Sequence, residues 1–348
     1  MPPVSLTQVL RFRARAQRLD HRLAAGALPD AARGGLQDTV PRAALTALHA
    51  RLEGVAPASW EDPSLWQIRF RHADYVVPRD DFGVFTIGRI PRNQEQTAAL
   101  EAVALAICDT LAGEPMNHRK LLSLMPAVLR HRGITPPPLL LGAANVVGRY
   151  RIRWDASRVT VIPTERPKID PGQARLELAR RFLDWYGPAT CAQFAKWAGI
   201  SREDATQTWT ELGPELMSVT MDGQVRELLL QDEESLLRAE PITGVRLLPL
   251  GDPYLSVDKA LAEAAAADMP RPTTDDRGAV LTLRLINSLL HHILVDGRIV
   301  GRWGRYQHHM SIHLSQAHRH HQDRVLAEAE SFSGPIGRPM HIRWLHSA

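Results

Sequence analysis

The sequence predicts an α+β fold: tandem winged-helix units followed by a C-terminal β-rich, barrel-like domain. Three observations carry that expectation. Helical runs repeatedly end in two alternating segments around a turn, the helix, helix, helix, hairpin order, and this is clearest between residues 170 and 232. Past residue 240 the pattern changes to short strands with a single helix near Asp323–Glu330. The chain also has 348 residues, room for two or three units at about 100–200 residues each.

Residues 5–24 read as an amphipathic helix. Val9, Phe12, Ala16, Leu19 and Leu23 recur at the spacing of one face, and Ser5 stands where a cap belongs. Arg11, Arg15, Arg18 and Arg22 keep the same spacing on an adjoining face. Arginines on one line can meet successive phosphates of a nucleic acid, or can form a solvated helix face. Gly34-Gly35 breaks the pattern, and Pro41 suits the first turn of a helix running to about Leu52. Gln37, Asp38 and Thr39 therefore fall in the turn before a helix, where free backbone N–H groups and polar side chains converge. LWQIRFRHADYVVP (65–78) is β-rich and partly alternating, a hairpin or wing with Arg69, Arg71 and His72 nearby. These elements make a first unit at 1–93.

A second unit spans 94–165. It has a helix through Leu100–Leu111 that ends at Gly113, another around Asn117–Leu129, a short one after Pro136-Pro137-Pro138, and two strands around Asp155-Ala156-Ser157. A linker, TERPKIDPG, precedes the third unit at 170–232. There Ala174–Tyr186 is a helix, Thr190 caps Cys191–Trp197, Ser201 starts Ser201–Leu212, and Asp222-Gly223 is a type I′ turn signal between strands. In the last region, 240–348, Asp296-Gly297 marks a second hairpin turn, and SIHL and MHIRW read as further strands.

Composition is that of a soluble globular protein, with 44% apolar and 23% charged residues. Cys108 and Cys191 sit in apolar or helix-like runs without C-x-x-C spacing and read as buried, inert thiols. No signal-peptide core and no stretch of about 18 uncharged apolar residues is found, so a cytoplasmic, non-membrane location is expected. The net charge is +4 and the cations are almost all arginine. Neither third-helix candidate is basic: 201–215 carries Glu203, Asp204, Glu211 and Glu215 against Arg202, and 138–146 is almost uncharged. The basic side chains lie instead in the N-terminal helix, at Arg69 and Arg71, in the 149–158 hairpin and between Arg298 and Arg305, with Arg302 among them. That distribution predicts units arranged around a shared concave surface.

Phosphate-binding loops, dinucleotide fingerprints, nucleophile elbows and H-E-x-x-H are absent, which removes the main support for NTPase, nucleotide-cofactor and common hydrolase readings. Histidines gather near the end, at His291, His292, His308, His309, His313, His318, His320 and His321. His309 and His313 have metal-ligand spacing on a helix, but their flanks read equally as strand and no carboxylate or cysteine completes a set, so no catalytic metal is expected. Gln37-Asp38-Thr39 remains as polar chemistry placed at a turn, with helix capping by Asp38 or Thr39 as the bland alternative.

In order and approximate spacing, GGLQDTVPRAALTALHAR (34–51), LWQIRFRHADYVVP (65–78), FLDWYGPATCAQFAKWAGIS (182–201), LLPLGDPYL (247–255) and HHILVDGRIVGRW (291–303) resemble the AlkZ/YcaQ-type winged-helix DNA glycosylases over essentially the whole chain. Trp197-Ala198-Gly199 and the Val-Asp-Gly-Arg-x-Val-Gly-x-Trp run at 295–303 are the more specific parts. The resemblance implies three winged-helix units and a β-barrel in a C shape around duplex DNA. It also implies monofunctional removal of alkylated purines, crosslinked ones included. The expected partner is double-stranded DNA, with a monomeric chain and no nucleotide cofactor, metal or other cofactor.

The family's catalytic motif is Gln-x-Gln or Gln-x-Asp before the second helix, and an ungapped reading puts Gln37 on its first position and Thr39 on its second. Thr39 is a departure. An N3- or N7-alkylpurine leaves as a base whose positive charge is already in place, so the catalyst must chiefly stabilise an oxocarbenium-like sugar and position water at C1′. Gln37 offers a carbonyl, Thr39 only a hydroxyl, and Asp38 a carboxylate that points elsewhere unless the turn is reshaped. The candidate catalytic residues are thus Gln37, Asp38 and Thr39, and the candidate DNA-binding residues are Arg11, Arg15, Arg18, Arg22, Arg69, Arg71, His72, Arg298 and Arg302. Three function classes are weighed: first a DNA repair glycosylase, second a non-catalytic DNA-binding protein for damage sensing or regulation that kept the fold and lost the chemistry, and third, with the weakest support, a metalloenzyme built on the histidine cluster.

Overall fold

A short strand, β1 (Pro3–Val4), leads into α1 (Leu6–Ala16), whose start is fixed by a capping box: the Gln8 N–H donates to Ser5 Oγ (3.2 Å) and the Ser5 N–H donates to Gln8 Oε1 (2.9 Å). The helix stops well short of residue 24. Gln17 turns inward and donates to the Trp185 carbonyl (2.8 Å), and Arg18 takes a positive φ of 60°, so Leu19, Arg22 and Leu23 lie beyond the helix. The chain continues through α2 (Leu28–Ala31), β2 (Leu36–Gln37), α3 (Ala43–Arg51), β3 (Leu65–Phe70), β4 (Ala73–Pro78) and α4 (Phe82–Thr86). Helix α3 begins two residues after Pro41 because Arg42 adopts left-handed geometry at φ 66°. The computed structural model describes residues 1–71, 73–267 and 291–345; His72 and the 281–290 part of the expected strand region lie outside them.

Next come α5 (Gln94–Leu111), β5 (Met116–Asn117), α6 (His118–His131), α7 (Leu140–Ala144), β6 (Tyr150–Trp154) and β7 (Val159–Pro163). The third region holds α8 (Pro171–Tyr186), α9 (Cys191–Ala198), α10 (Arg202–Leu212), β8 (Leu216–Met221) and β9 (Gln224–Leu229), with caps where the sequence places them at Thr190 and Ser201. It is followed by α11 (Glu233–Leu237), β10 (Val245–Leu248), α12 (Lys259–Ala265), β11 (His291–Val295), β12 (Arg298–Tyr306), β13 (His309–Leu314), α13 (Gln322–Ser331), α14 (Ser333–Ile336) and β14 (His341–Trp344). Cys108 and Cys191 are both unpaired, and both are half-buried where full burial was expected.

The result is a mixed α+β structure with three sheets among the described residues. The hairpins of the first two regions join in one six-stranded sheet, ordered β2-β4-β3-β6-β7-β5, through an antiparallel contact between Gln67 and Ile152. The N-terminal β1 pairs parallel with β8, so the start of the chain completes the sheet of the third region. The C-terminal sheet runs β10-β11-β12-β13-β14 with β13 and β14 parallel. Among the described residues no sheet closes into the expected barrel: there β10 and β14 are the outer strands, and α13 covers one face through Val325, Ala329 and Phe332. No described helix is long and apolar enough to cross a membrane.

One aromatic core ties the first region to the third. Buried Trp197 of α9 lies 5.1 Å from Phe70, 6.2 Å from Phe85, 5.2 Å from Phe182 and 5.6 Å from Tyr186 between ring centroids. Tilted and edge contacts of this kind each add about 0.5–1.5 kcal/mol beyond burial. This packing brings α9 against the β3–β4 hairpin, and a cleft opens above it.

Candidate active site

The cleft is floored by Gln37, Arg71 and Tyr75 from the first region, Gln193, Lys196 and Trp197 from α9, and the 255–262 segment that includes Asp258, and it encloses about 400 Å³. The residues before Gln37 explain how it gets there. A Cβ on Gly34 would sit 2.2 Å from the Trp185 ring, and Gly35, at φ +77°, has Phe85 and Tyr75 within 3.3 Å of where its Cβ would be. The Gly-Gly pair lets the chain slip between these three aromatic side chains and enter β2, where Leu36 pairs with Val76 and Gln37 with Tyr75.

Gln37 is half-buried and held at both ends of its amide. Its Nε2 donates to Thr39 Oγ1, and its Oε1 accepts from the Tyr75 hydroxyl at 3.4 Å. Tyr75 in turn accepts from Arg71 Nη2 at 3.1 Å. On the other side the backbone of Gly251 presses on the amide: a Cβ there would stand 2.9 Å from Gln37 Oε1 and 3.0 Å from Cδ. The loop carrying Gly251 is clamped on both flanks. The Leu250 N–H donates to His291 Nδ1 at 2.8 Å, a bond that needs a neutral ring, and burial holds His291 down at about 4. Asp252 takes two hydrogen bonds of 2.8 Å from Arg51, both side chains being essentially out of solvent.

Asp38 points away from the cleft. It is fully buried; Oδ1 accepts the Ala44 N–H (3.0 Å) near the start of α3 and Oδ2 accepts from Gln67 Nε2 (3.1 Å). Gln67 Oε1 accepts the Trp154 N–H at 2.6 Å, so Asp38 belongs to the seam between β3 and β6. Burial pushes its carboxyl up to about 6, against the lowering effect of those hydrogen bonds and of Arg42. Thr39 is exposed, at the rim beside Gln37.

The candidate cations separate into groups. Arg71 faces the cleft and also donates to the Lys196 carbonyl (3.4 Å). Gly199, the left-handed cap of α9 at φ +67°, leaves room for it, since a Cβ there would meet Arg71 Cγ at 3.0 Å. Arg69 pairs with Asp74 at 3.0 Å and lines a neighbouring apolar groove with Arg71 and His118. Arg15 pairs with Asp20 (3.3 Å), Arg18 is exposed, and Arg11 is half-exposed. Arg22 is turned inward, where it donates to Glu328 (2.6 Å) and to the His49 carbonyl (2.7 Å), so the predicted line of four arginines on one helix is not formed. Arg298 and Arg302 lie on β12, exposed and half-exposed. His309 and His313 stand four residues apart on strand β13, about 13 Å along it, which removes the helical metal spacing.

Several residues escaped the sequence reading. Tyr75 and Lys196 lie within segments already singled out, but only the packing of α9 on the hairpin turns them to one cleft. Arg51 and Asp252 are 201 residues apart and carry no local signal. A recess of about 500 Å³ lined by Arg42, Arg305 and Arg338 adds a basic surface next to α3. Another of about 510 Å³ is less promising, because Arg33 pairs there with Asp184 and Arg180 with Glu177 and Glu215.

Comparison with known proteins gives the same direction. An interstrand DNA cross-link repair glycosylase of Streptomyces sahachiroi is 29% identical over 137 residues, 38% of this chain and 35% of that protein, so the match spans about a third of the curated relative's length. The structure of the Streptomyces sahachiroi DNA glycosylase AlkZ superposes with a TM-score of 0.70 at 19% identity, over 99% of this chain and 100% of that one, which establishes a shared fold. Residues 31–333, most of the chain, match the family described as DNA glycosylase AlkZ-like, and the chain therefore belongs to the AlkZ-like family of DNA glycosylases.

Proposed function

We propose that this chain is a monofunctional DNA glycosylase that hydrolyses the N-glycosidic bond of alkylated or crosslinked purines in duplex DNA, with Gln37 at the reaction centre. The observation that carries this is the mounting of Gln37: a half-exposed side-chain amide at the floor of a cleft, fixed by Thr39, Tyr75 and the Gly251 backbone. A carbonyl locked in place costs no reorganisation when positive charge develops on the sugar. Its second lone pair remains for a water directed at C1′. The leaving purine already carries its charge, so the reaction needs no general acid to protonate the leaving base.

Thr39 orients Gln37, and Asp38 acts from below by anchoring α3 to the turn; it is a positioning residue in this reading. Arg71 and Lys196 at the cleft meet backbone phosphates, and Arg11, Arg15, Arg18, Arg69, Arg298 and Arg302 extend the contact. The regions 1–93, 94–165 and 170–232 act as winged-helix units and 240–348 as the fourth part, curved in a C around the duplex, the chain working as a monomer. What supports this arrangement is the shared fold and the joining of the β3–β4 and β6–β7 hairpins into one sheet.

The test uses duplex oligonucleotides carrying one N7-alkylguanine or N3-alkyladenine, followed by alkali to cut abasic sites. Wild type is expected to give strand breaks, and Gln37→Ala to lose about 10²–10³-fold in rate while still binding DNA. Intact strands at saturating, DNA-bound wild-type protein would overturn the reading in favour of a non-catalytic binder.

A further inference from the structure

We propose that His318, His320 and His321 form a binding site for a divalent transition-metal ion of the zinc class. The three lie on one 3₁₀ turn (Gln316–His321) between β13 and α13, and one ring nitrogen from each falls within 4.8 Å of the others. The backbone geometry accounts for this convergence. In a 3₁₀ helix side chains at i and i+3 eclipse, and the His318 and His321 rings are indeed close to parallel, 13° apart, with centroids at 5.9 Å. His320 folds in from the intervening position, 3.9 Å from His321.

The chemistry of the donor set selects the ion. Three imidazoles with no carboxylate in the group suit zinc, copper or nickel and not magnesium or calcium, which take oxygen ligands. A tetrahedral zinc with bonds of about 2.0–2.1 Å needs nitrogens about 3.3 Å apart. His320 is exposed and His321 half-buried, so rotation of those two rings can close the remaining gap. Water completes the fourth position, as at other three-ligand sites. None of the three lines the Gln37 cleft. The ion would instead staple the start of α13 beside the point where Arg324 holds Asp296 of the β11–β12 turn at 2.7 and 2.8 Å.

The experiment is isothermal titration of tag-free, chelator-treated full-length chain with zinc chloride. One saturable zinc per chain with a micromolar Kd is expected. His320→Ala/His321→Ala should weaken it at least tenfold with an unchanged circular dichroism spectrum. His309→Ala, in the separate His308, His309 and His341 cluster, should leave it unaltered. Magnesium chloride should give no heat of binding. Absence of saturable uptake, or uptake that the double variant leaves intact, would overturn the proposal.

Discussion

Gly251→Ala isolates the mounting of Gln37 without touching Gln37 itself. The added Cβ would lie 2.9 Å from Oε1 and 3.0 Å from Cδ, whereas ordinary contact begins near 3.4 Å, so about 0.5 Å must be found. The loop cannot yield it cheaply, because Leu250 is bonded to His291 and Asp252 to Arg51 on either side. Gln37 must move instead, and its bond from Tyr75 is already long at 3.4 Å. Alanine at φ +80° adds about 1–2 kcal/mol of backbone strain. A displacement of about 1 Å at a reacting group can cost about a hundredfold, so half of that should lower base release by about tenfold or somewhat more. Single-turnover release from an N7-alkylguanine duplex measures the rate, while thermal melting and DNA affinity serve as controls, expected to fall by a few degrees and to stay within about threefold. A folded, DNA-binding Gly251→Ala that releases base at the wild-type rate would refute the idea that the position of the Gln37 carbonyl governs the chemistry.

Asp38→Asn tests the burial of that carboxyl. Its folded-state value of about 6 stands above the ordinary 3.8, so its contribution to stability is present at low pH and is lost as pH rises from about 4 through 6; above that the buried charge costs about 3 kcal/mol. Urea midpoints of wild type should therefore decline relative to Asp38→Asn between pH 4.5 and 7.5, and parallel curves would contradict the assignment. Arg51→Met leaves Asp252 buried and unpaired and should destabilise the chain by about 3–5 kcal/mol, with part recovered in Arg51→Met/Asp252→Asn, as denaturant titration would reveal. Lys196→Gln should weaken DNA binding and reduce the slope of log affinity against log salt by about 0.9, whereas Arg22→Gln, which loses Glu328 and the His49 carbonyl, should lower the melting temperature and leave the slope alone. Equal slopes for Lys196→Gln and wild type would remove Lys196 from the phosphate contacts.

What the sequence made legible follows from how local each signal is. Caps at Ser5, Thr190 and Ser201 and the hairpin turns at Asp222-Gly223 and Asp296-Gly297 lie where short-range chemistry put them. The end of α1 leaves no local signal, because the 3.6-residue spacing of Leu19 and Leu23 continues although Gln17 finds a carbonyl 168 residues away. Gln37 was visible as a polar residue in a turn; the direction of Asp38 was not, since it depends on Gln67 reaching across from another strand. The joining of hairpins from separate regions is likewise a long-range fact, with no imprint on periodicity.

Asp38 cannot stand in for the second motif acceptor, because one of its oxygens is bonded to the start of α3 and the other to Gln67 in the β3–β6 seam, both away from the cleft. Thr39 keeps one of the two tasks a carboxylate would perform there: it accepts the Gln37 Nε2–H and so fixes the amide with its carbonyl toward Tyr75. It cannot supply negative charge beside the developing oxocarbenium. Thr39 is exposed, so Thr39→Asp should fold without cost, keep the bond from Gln37 as a stronger, charge-assisted one, and add the missing field. The expected result is base release raised by about tenfold above wild type, equivalent to about 1.4 kcal/mol, with a new dependence on ionisation near the ordinary carboxylate range. A Thr39→Asp protein that binds DNA as before but releases base no faster would mean that Gln37 alone carries the charge stabilisation, and that the hydroxyl at 39 is already sufficient for this site.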